Sequence, residues 1–229
     1  MSLAKKTFTF SAPDSHFEAG VTDLMIAGWT GRDPKAIEAH IEELAAIGVP
    51  RPKSTPIFYR AWAELLTQQP AVQVVGESSS GEAEPVVIST DGVLWLGVGS
   101  DHTDRRIETV GITVAKQVCP KPIGRQVWRL DEVAEHWDQL ILRSWAQRSG
   151  VRRLYQEDVL ARIRHPADLL ARYGGAGFNL PGGWVMFCGT VTTRGAIEPA
   201  EFLEVEIEDP VLDRRISHGY QTETLRIEG

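Results

Sequence analysis

Two apolar runs, residues 85–88 and 93–98, flank Thr90-Asp91-Gly92. Asp-Gly between apolar runs marks a two-residue turn with positive φ at its centre, so this stretch specifies an antiparallel hairpin. Further strands are expected at residues 8–10, 21–27, 57–59, 108–114, 184–188 and 203–207, where apolar or alternating runs lie between turn residues. Asp33 and Pro34 suit the cap and first position of a helix. Ile37, Ile41 and Leu44 follow at helical spacing, and Gly48 supplies the stop before a Pro-rich link at residues 49–55. Helical periodicity also covers residues 130–145 and 156–173, the latter closed by Gly174 and Gly175. Strands dominate both ends and helices cluster, without a regular βαβ alternation. The expected class is α+β with a substantial mixed sheet. The 229 residues suit one compact unit, divided at most into residues 1–55 and 56–229.

Composition removes several function classes. The formal net charge is -7 and no basic stripe stands out, so nucleic acid is not an expected partner. The richest basic stretch, residues 143–153, is interrupted by Trp145 and Gly150. No apolar run approaches the roughly 20 residues that span a bilayer, and no membrane role is expected. Lys5 and Lys6 precede no apolar segment of the secretory kind, which makes the cytoplasm the expected compartment. Cys119 and Cys188 are too few for a disulfide framework or a thiolate metal site. Ser78 to Ser80 lack the G-x-S-x-G elbow, and the glycines at 174–177 lack the context of a dinucleotide loop.

The most informative segment is Gly81-Glu82-Ala83-Glu84. Residues two apart on a strand share a face, so Glu82 and Glu84 aim their carboxylates into one volume. Such a pair repels unless a cation lies between, and a hard ion with oxygen ligands fits. Asp101, after the hairpin's second apolar run, can return a third carboxylate to the same end. Read on residues alone, the pair is equally a solvated strand face, and both readings stand. His102 is left outside the ligand set as a loop histidine. Asp104 and Glu108 are expected to pair with Arg105 or Arg106.

These residues resemble the fumarylacetoacetate hydrolase superfamily. Glu82 to Ile88 is similar to its E-x-E-L-A-V-V-I pattern, and Ser100-Asp101-His102-Thr103-Asp104-Arg105 to its N-D-x-[ST]-A-R segment. Lys116 to Gly124 resembles its lysine segment, and Pro56-Ile57-Phe58-Tyr59-Arg60 its P-x-x-F-x-K strand. Leu180 to Thr190 and Phe202 to Glu208 are similar to its two C-terminal segments. Gly28-Trp29-Thr30-Gly31 and then His40 and Glu43 resemble a G-x-N-Y segment followed by an H-x-x-E pair on a helical lid. The chain departs from the pattern in several places. Glu84 and Asp101 stand closer in sequence, Thr30-Gly31 replaces Asn-Tyr, extra residues precede His40, and Gly183 replaces Asp. It looks like a divergent branch.

The resemblance implies a mixed β-sandwich roll surrounded by helices, with a lid-like helix in residues 1–55, a catalytic domain over 56–229 and usually a homodimer. It implies Glu82, Glu84 and Asp101 as ligands of Mg²⁺ or Mn²⁺, with Ca²⁺ a further candidate. Lys116 is implied as the active-site lysine. His40 is implied as the base for water, oriented by Glu43 three residues on, a helical neighbour. Without the family, His40 is equally the border of an ordinary amphipathic stripe. Gly189 and Thr190 are implied at the substrate, with Tyr59, Arg60 and Arg105 as further binding residues; either arginine is equally a surface ion pair. The implied reaction is metal-dependent hydrolysis of a carbon–carbon bond in a small 1,3-diketo or 2-oxo acid, through an enolate held at the ion. Decarboxylation, hydration or tautomerisation of a 2-oxo acid is the alternative, and a non-catalytic binding or scaffold protein is a second.

Overall fold

The computed structural model describes residues 5–46 and 51–228, without the side chains of His40 and Leu44. In chain order the first half holds β1 (Lys6–Ala12), β2 (Ser15–Val21), β3 (Asp23–Gly28), α1 (Pro34–Ala46), β4 (Ile57–Ala61), β5 (Ala71–Val75), β6 (Ala83–Thr90), β7 (Val93–Ser100), α2 (Arg105–Glu108) and α3 (Ile112–Ala115). The second half holds β8 (Trp128–Arg129), α4 (Leu130–Val133), β9 (Ile141–Arg148), β10 (Val151–Val159), α5 (Pro166–Gly174), β11 (Trp184–Phe187), β12 (Phe202–Asp209) and β13 (Arg214–Leu225). The chain is α+β, as expected.

A six-stranded mixed sheet runs in the order β8-β7-β6-β11-β3-β4, and a five-stranded sheet in the order β10-β9-β12-β13-β5. Their facing sides share one core. Met25, Val87, Leu96, Val98 and Met186 from the first sheet meet Leu142, Leu203, Val205, Ile207 and Tyr220 from the second. The other side of the six-stranded sheet is covered as well. There Leu24, Ile26, Val86, Ile88, Val185 and Phe187 pack with Phe8, Phe10, Ala19 and Val21 of the β1–β2 hairpin. Adjacent residues on one strand thus enter different cores, the period-two consequence of the pleat. A strand buried on both faces reads as a continuous apolar run, which explains Val86-Val87-Ile88.

The hairpin forms as the sequence specified. Asp91 and Gly92 take φ of 50° and 78°, and Ala83 pairs with Ser100 at the open end. α1 also forms, with the Asp33 carboxylate accepting from the Lys35 N–H at 2.9 Å. Its expected stop, Gly48, and the first residues of the Pro-rich link lie outside the described residues.

Three expectations fail. Residues 108–114 are not a strand: Asp104 accepts from the Arg106 and Ile107 N–H groups at 2.9 and 3.0 Å and starts α2, and α3 follows. Of the helix expected over 130–145, only α4 and a 3₁₀ segment to Gln139 exist, because Ile141–Arg148 joins the second sheet. Likewise residues 156–159 belong to β10, and a regular helix begins only at Pro166. Among the described residues, no helix is long and apolar enough to cross a membrane.

Candidate metal centre

Glu82, Glu84 and Asp101 each offer a carboxylate oxygen, and these oxygens lie within 4.8 Å of one another. The hairpin creates this convergence. With Ala83 opposite Ser100, the next position places Glu82 opposite Asp101, and the Asp101 N–H donates to the Glu82 carbonyl at 3.0 Å. The two-residue turn therefore brings Asp101 to the E-x-E pair across a short sequence gap. The close spacing that departs from the family pattern still unites the three acids.

Cations surround the acids. Lys116, at the end of α3, ion-pairs with Asp101 Oδ2, and Lys121 Nζ lies 2.9 Å from Asp101 Oδ1. Lys121 is fully buried and also donates to the His102 carbonyl at 2.5 Å. Arg105 approaches Glu82 at 3.1 Å and Glu108 at 3.0 Å, and its Nε donates to Ser80 Oγ at 2.7 Å.

Electrostatics follow from burial and these neighbours. Burial pushes the Glu84 carboxyl well above the usual range, the Asp101 charge adds to this, and Lys116 opposes it only in part. Burial would also raise Asp101, but Lys116 and Lys121 outweigh it and hold its carboxyl below the usual range. Burial pulls Lys116 down, yet Asp101, Glu82 and Glu84 keep its ammonium above its ordinary value. Lys121 moves the other way, because burial and the nearby Lys116 charge prevail over Asp101.

Gly189 and Thr190 follow β11 at the same end. The Gly189 N–H donates to Glu84 Oε2 at 2.8 Å, and the Thr190 hydroxyl donates to the Ala83 carbonyl at 2.7 Å. Gly189 takes φ of +96°, and a Cβ there would lie 1.8 Å from Thr30 Oγ1. Only glycine lets the segments after β3 and β11 approach so closely. Thr30 then leads to Arg32, which donates to both carboxylate oxygens of Asp138 at 2.7 and 2.5 Å and to the Ile163 carbonyl at 2.6 Å.

The residues singled out in the sequence divide clearly. Glu82, Glu84, Asp101, Lys116, Arg105, Gly189 and Thr190 are brought together. Tyr59 is buried and stands within the electrostatic reach of Lys116 and Asp101; burial raises its phenol. Its neighbour Arg60 turns elsewhere, since consecutive strand residues face opposite ways. Arg60 pairs with Asp23 and stacks 4.2 Å over Trp184, at the start of β11 rather than at its Gly189 end. Glu43 is exposed on α1, and the His40 side chain lies outside the described residues.

Two features were missed. Lys121 sits between Pro120 and Pro122, where a lysine reads as a loop residue, and nothing local marks it as buried. Behind Asp101, the Tyr220 hydroxyl lies 2.8 Å from both Ser100 Oγ and His102 Nδ1, and His102 Nε2 lies 3.0 Å from Ser79 Oγ. Burial and the Lys121 and Arg105 charges pull His102 down to about 3, so its imidazole is neutral. His102-Thr103 follows the aspartate directly, the one sequence hint of this network.

No curated protein matches the chain by sequence. Solved structures show its fold. A candidate fumarylpyruvate hydrolase from Burkholderia cenocepacia is 19% identical, with 97% of each chain covered and a TM-score of 0.63. A candidate fumarylacetoacetate hydrolase family protein from Yersinia pestis CO92 is 16% identical, covering 94% of this chain and 100% of that one, with a TM-score of 0.64. A 2-keto-3-deoxy-D-arabinonate dehydratase complexed with magnesium and 2,5-dioxopentanoate is also 16% identical, covering 93% of this chain and 78% of that one, with a TM-score of 0.61. The family model described as "Protein of unknown function (DUF2848)" matches residues 27–220. The chain belongs to that family, and its fold is the one shared by these fumarylacetoacetate hydrolase family structures.

Proposed function

We propose that the protein is a divalent-metal-dependent enzyme that cleaves a carbon–carbon bond in a small 2-oxo or 1,3-diketo acid. The observation that carries this reading is the convergence of three carboxylates beside the Lys116 ammonium. The donor set fits Mg²⁺ or Mn²⁺, which prefer oxygen ligands. Glu84 fits especially well, being a buried carboxyl whose ionised form is disfavoured until a cation arrives. Glu82, Glu84 and Asp101 would hold the ion, and it would supply Lewis-acid polarisation of a substrate oxygen.

The chain's own groups have distinct tasks in this reading. Lys116 presents a fixed ammonium to negative charge developing on the substrate. Arg105 holds Glu82 through their ion pair, so its guanidinium is a clamp on a ligand rather than a free carboxylate receptor. His40 on α1, oriented by Glu43, would take a proton from water as the oxygen adds to the remote carbonyl. The bond between that carbon and its neighbour breaks, and the electron pair it releases takes up a proton beside the 2-oxo group. One water is consumed and two acids leave. Replacing His40 with Ala is expected to abolish hydrolysis while leaving metal affinity within about twofold; unchanged turnover would remove α1 from the chemistry.

A second reading, loss of water or carbon dioxide from a 2-oxo acid, is favoured by one finding: a dehydratase with magnesium and an oxo acid shares this fold. Turnover of acylpyruvates, oxaloacetate and 2-oxo sugar acids with added Mg²⁺ or Mn²⁺ separates the two by product. Calorimetric titration with either ion separates both from a non-catalytic scaffold, for which no binding is expected. A homodimer belongs to the same reading, and sedimentation velocity tests it.

A further inference from the structure

We propose that Gln156 is a positioning residue of the metal centre, holding the peptide between Glu82 and Glu84 from the opposite sheet. The inference rests on the metal reading above and concerns a residue whose hydrogen bonds go to none of the three carboxylates.

Gln156 belongs to β10 at the edge of the five-stranded sheet and is fully buried. A β-bulge places it there. Ser144 pairs with Gln156 but Trp145 pairs with Leu154, so Tyr155 is the extra residue. A bulge re-aims side chains, and here both Tyr155 and Gln156 are buried although they are neighbours on a strand.

The amide fills its hydrogen-bonding capacity. Oε1 accepts from the Ala83 N–H at 2.9 Å and from the Ser144 hydroxyl at 2.8 Å. Nε2 donates to Thr190 Oγ1 and to the Val191 carbonyl, each at 2.7 Å. A backbone N–H can only donate and a carbonyl can only accept, so Ala83 and Val191 fix which end of the amide is which. Thr190 Oγ1 accepts a hydrogen bond from Gln156 Nε2 and donates its own to the Ala83 carbonyl. Gln156 and Thr190 therefore grip Ala83 at both its N–H and its C=O. Glu82 and Glu84 project from the residues on either side, so rotation of this peptide would move both carboxylates. A buried amide with four satisfied partners is costly to disturb, which makes the grip stiff.

The test is Mn²⁺ titration of the full chain by calorimetry, with thermal unfolding of the metal-free protein alongside. Gln156→Leu keeps the volume and removes all four bonds; Mn²⁺ affinity is expected to fall about tenfold or more, the scale seen for outer-shell partners of metal ligands. Ser144→Ala removes one bond of the same amide without touching Ala83 or Thr190, and is expected to leave affinity within about twofold. Gln156→Glu keeps the acceptor for Ala83 and loses the donations to Thr190 and Val191; it decides the matter in the same direction if the Leu variant does not fold. Affinity unchanged in the Gln156 variants, or lowered equally by Ser144→Ala, would overturn the assignment alone. Failure of the unaltered chain to bind Mn²⁺ would overturn the metal reading and this assignment together.

Discussion

Two regions of the molecule mix acids and bases, and burial makes them opposites. On the second sheet, Arg143 of β9 meets Glu157, Glu206 and Glu208, and Arg152 of β10 meets Glu204 at 2.7 Å. At the end of the first sheet, Asp101 meets Lys116 and Lys121. Arg152 and Glu204 keep 47% and 31% of their side chains in water, whereas Asp101 and Lys121 keep none. Cross-strand partners in solvent contribute little each, while charges removed from water depend on one another. The basic stretch at residues 143–153 is thus matched mainly by the acids of its neighbouring strand.

Breaking the inner set should have the largest effect. Asp101→Asn leaves two buried ammonium groups without their carboxylate and is expected to cost about 3–5 kcal/mol in urea unfolding. Full stability in that variant would mean that the cluster is open to water. Next in size, Glu82→Gln should leave the fold intact and weaken Mn²⁺ binding by more than about tenfold in a calorimetric titration; unaltered affinity would separate Glu82 from the ligand set.

An intermediate effect concerns pH. Burial, aided by the Arg125 charge, pulls His218 down to about 4. Its ordinary value is about 6.5, so the unfolded chain takes up a proton before the native one does. The stability tied to neutral His218 is present above about pH 6.5 and lost as pH falls toward 4. His218→Gln should flatten the stability profile across that window, and an unchanged slope would assign it to other groups. The smallest effect is expected outside: Arg152→Ala should cost less than about 1 kcal/mol, even with its stacking on Trp145, and the loss should shrink in high salt.

The same contrast explains what the sequence revealed. Asp91-Gly92 was legible because positive φ leaves few residue choices, and Glu82-Ala83-Glu84 because strand geometry alone puts alternate residues together. The arrival of Asp101 followed from both. Lys121 was hidden because its burial depends on two distant partners, the Asp101 carboxylate and the His102 carbonyl. Residues 141–145 read as helix because the inward positions of their strand include Ser144 and Ala146, too small or polar to display a period of two. Residue 156 was hidden for a related reason: a bulge breaks the alternation where Gln156 turns inward. Arg60 takes the ion-pair alternative, with Asp23, because neighbours on a strand face apart.

The contact of Gly189 with Thr30 has a mechanical consequence. A displacement of Thr30 toward β11 meets Gly189, which has no slack to absorb it, and Gly189 cannot yield without straining its bond to Glu84. Because the same short segment is anchored at Arg32 just before α1 begins, the start of that helix is held in place relative to the Glu84 carboxylate through one crossing of the chain.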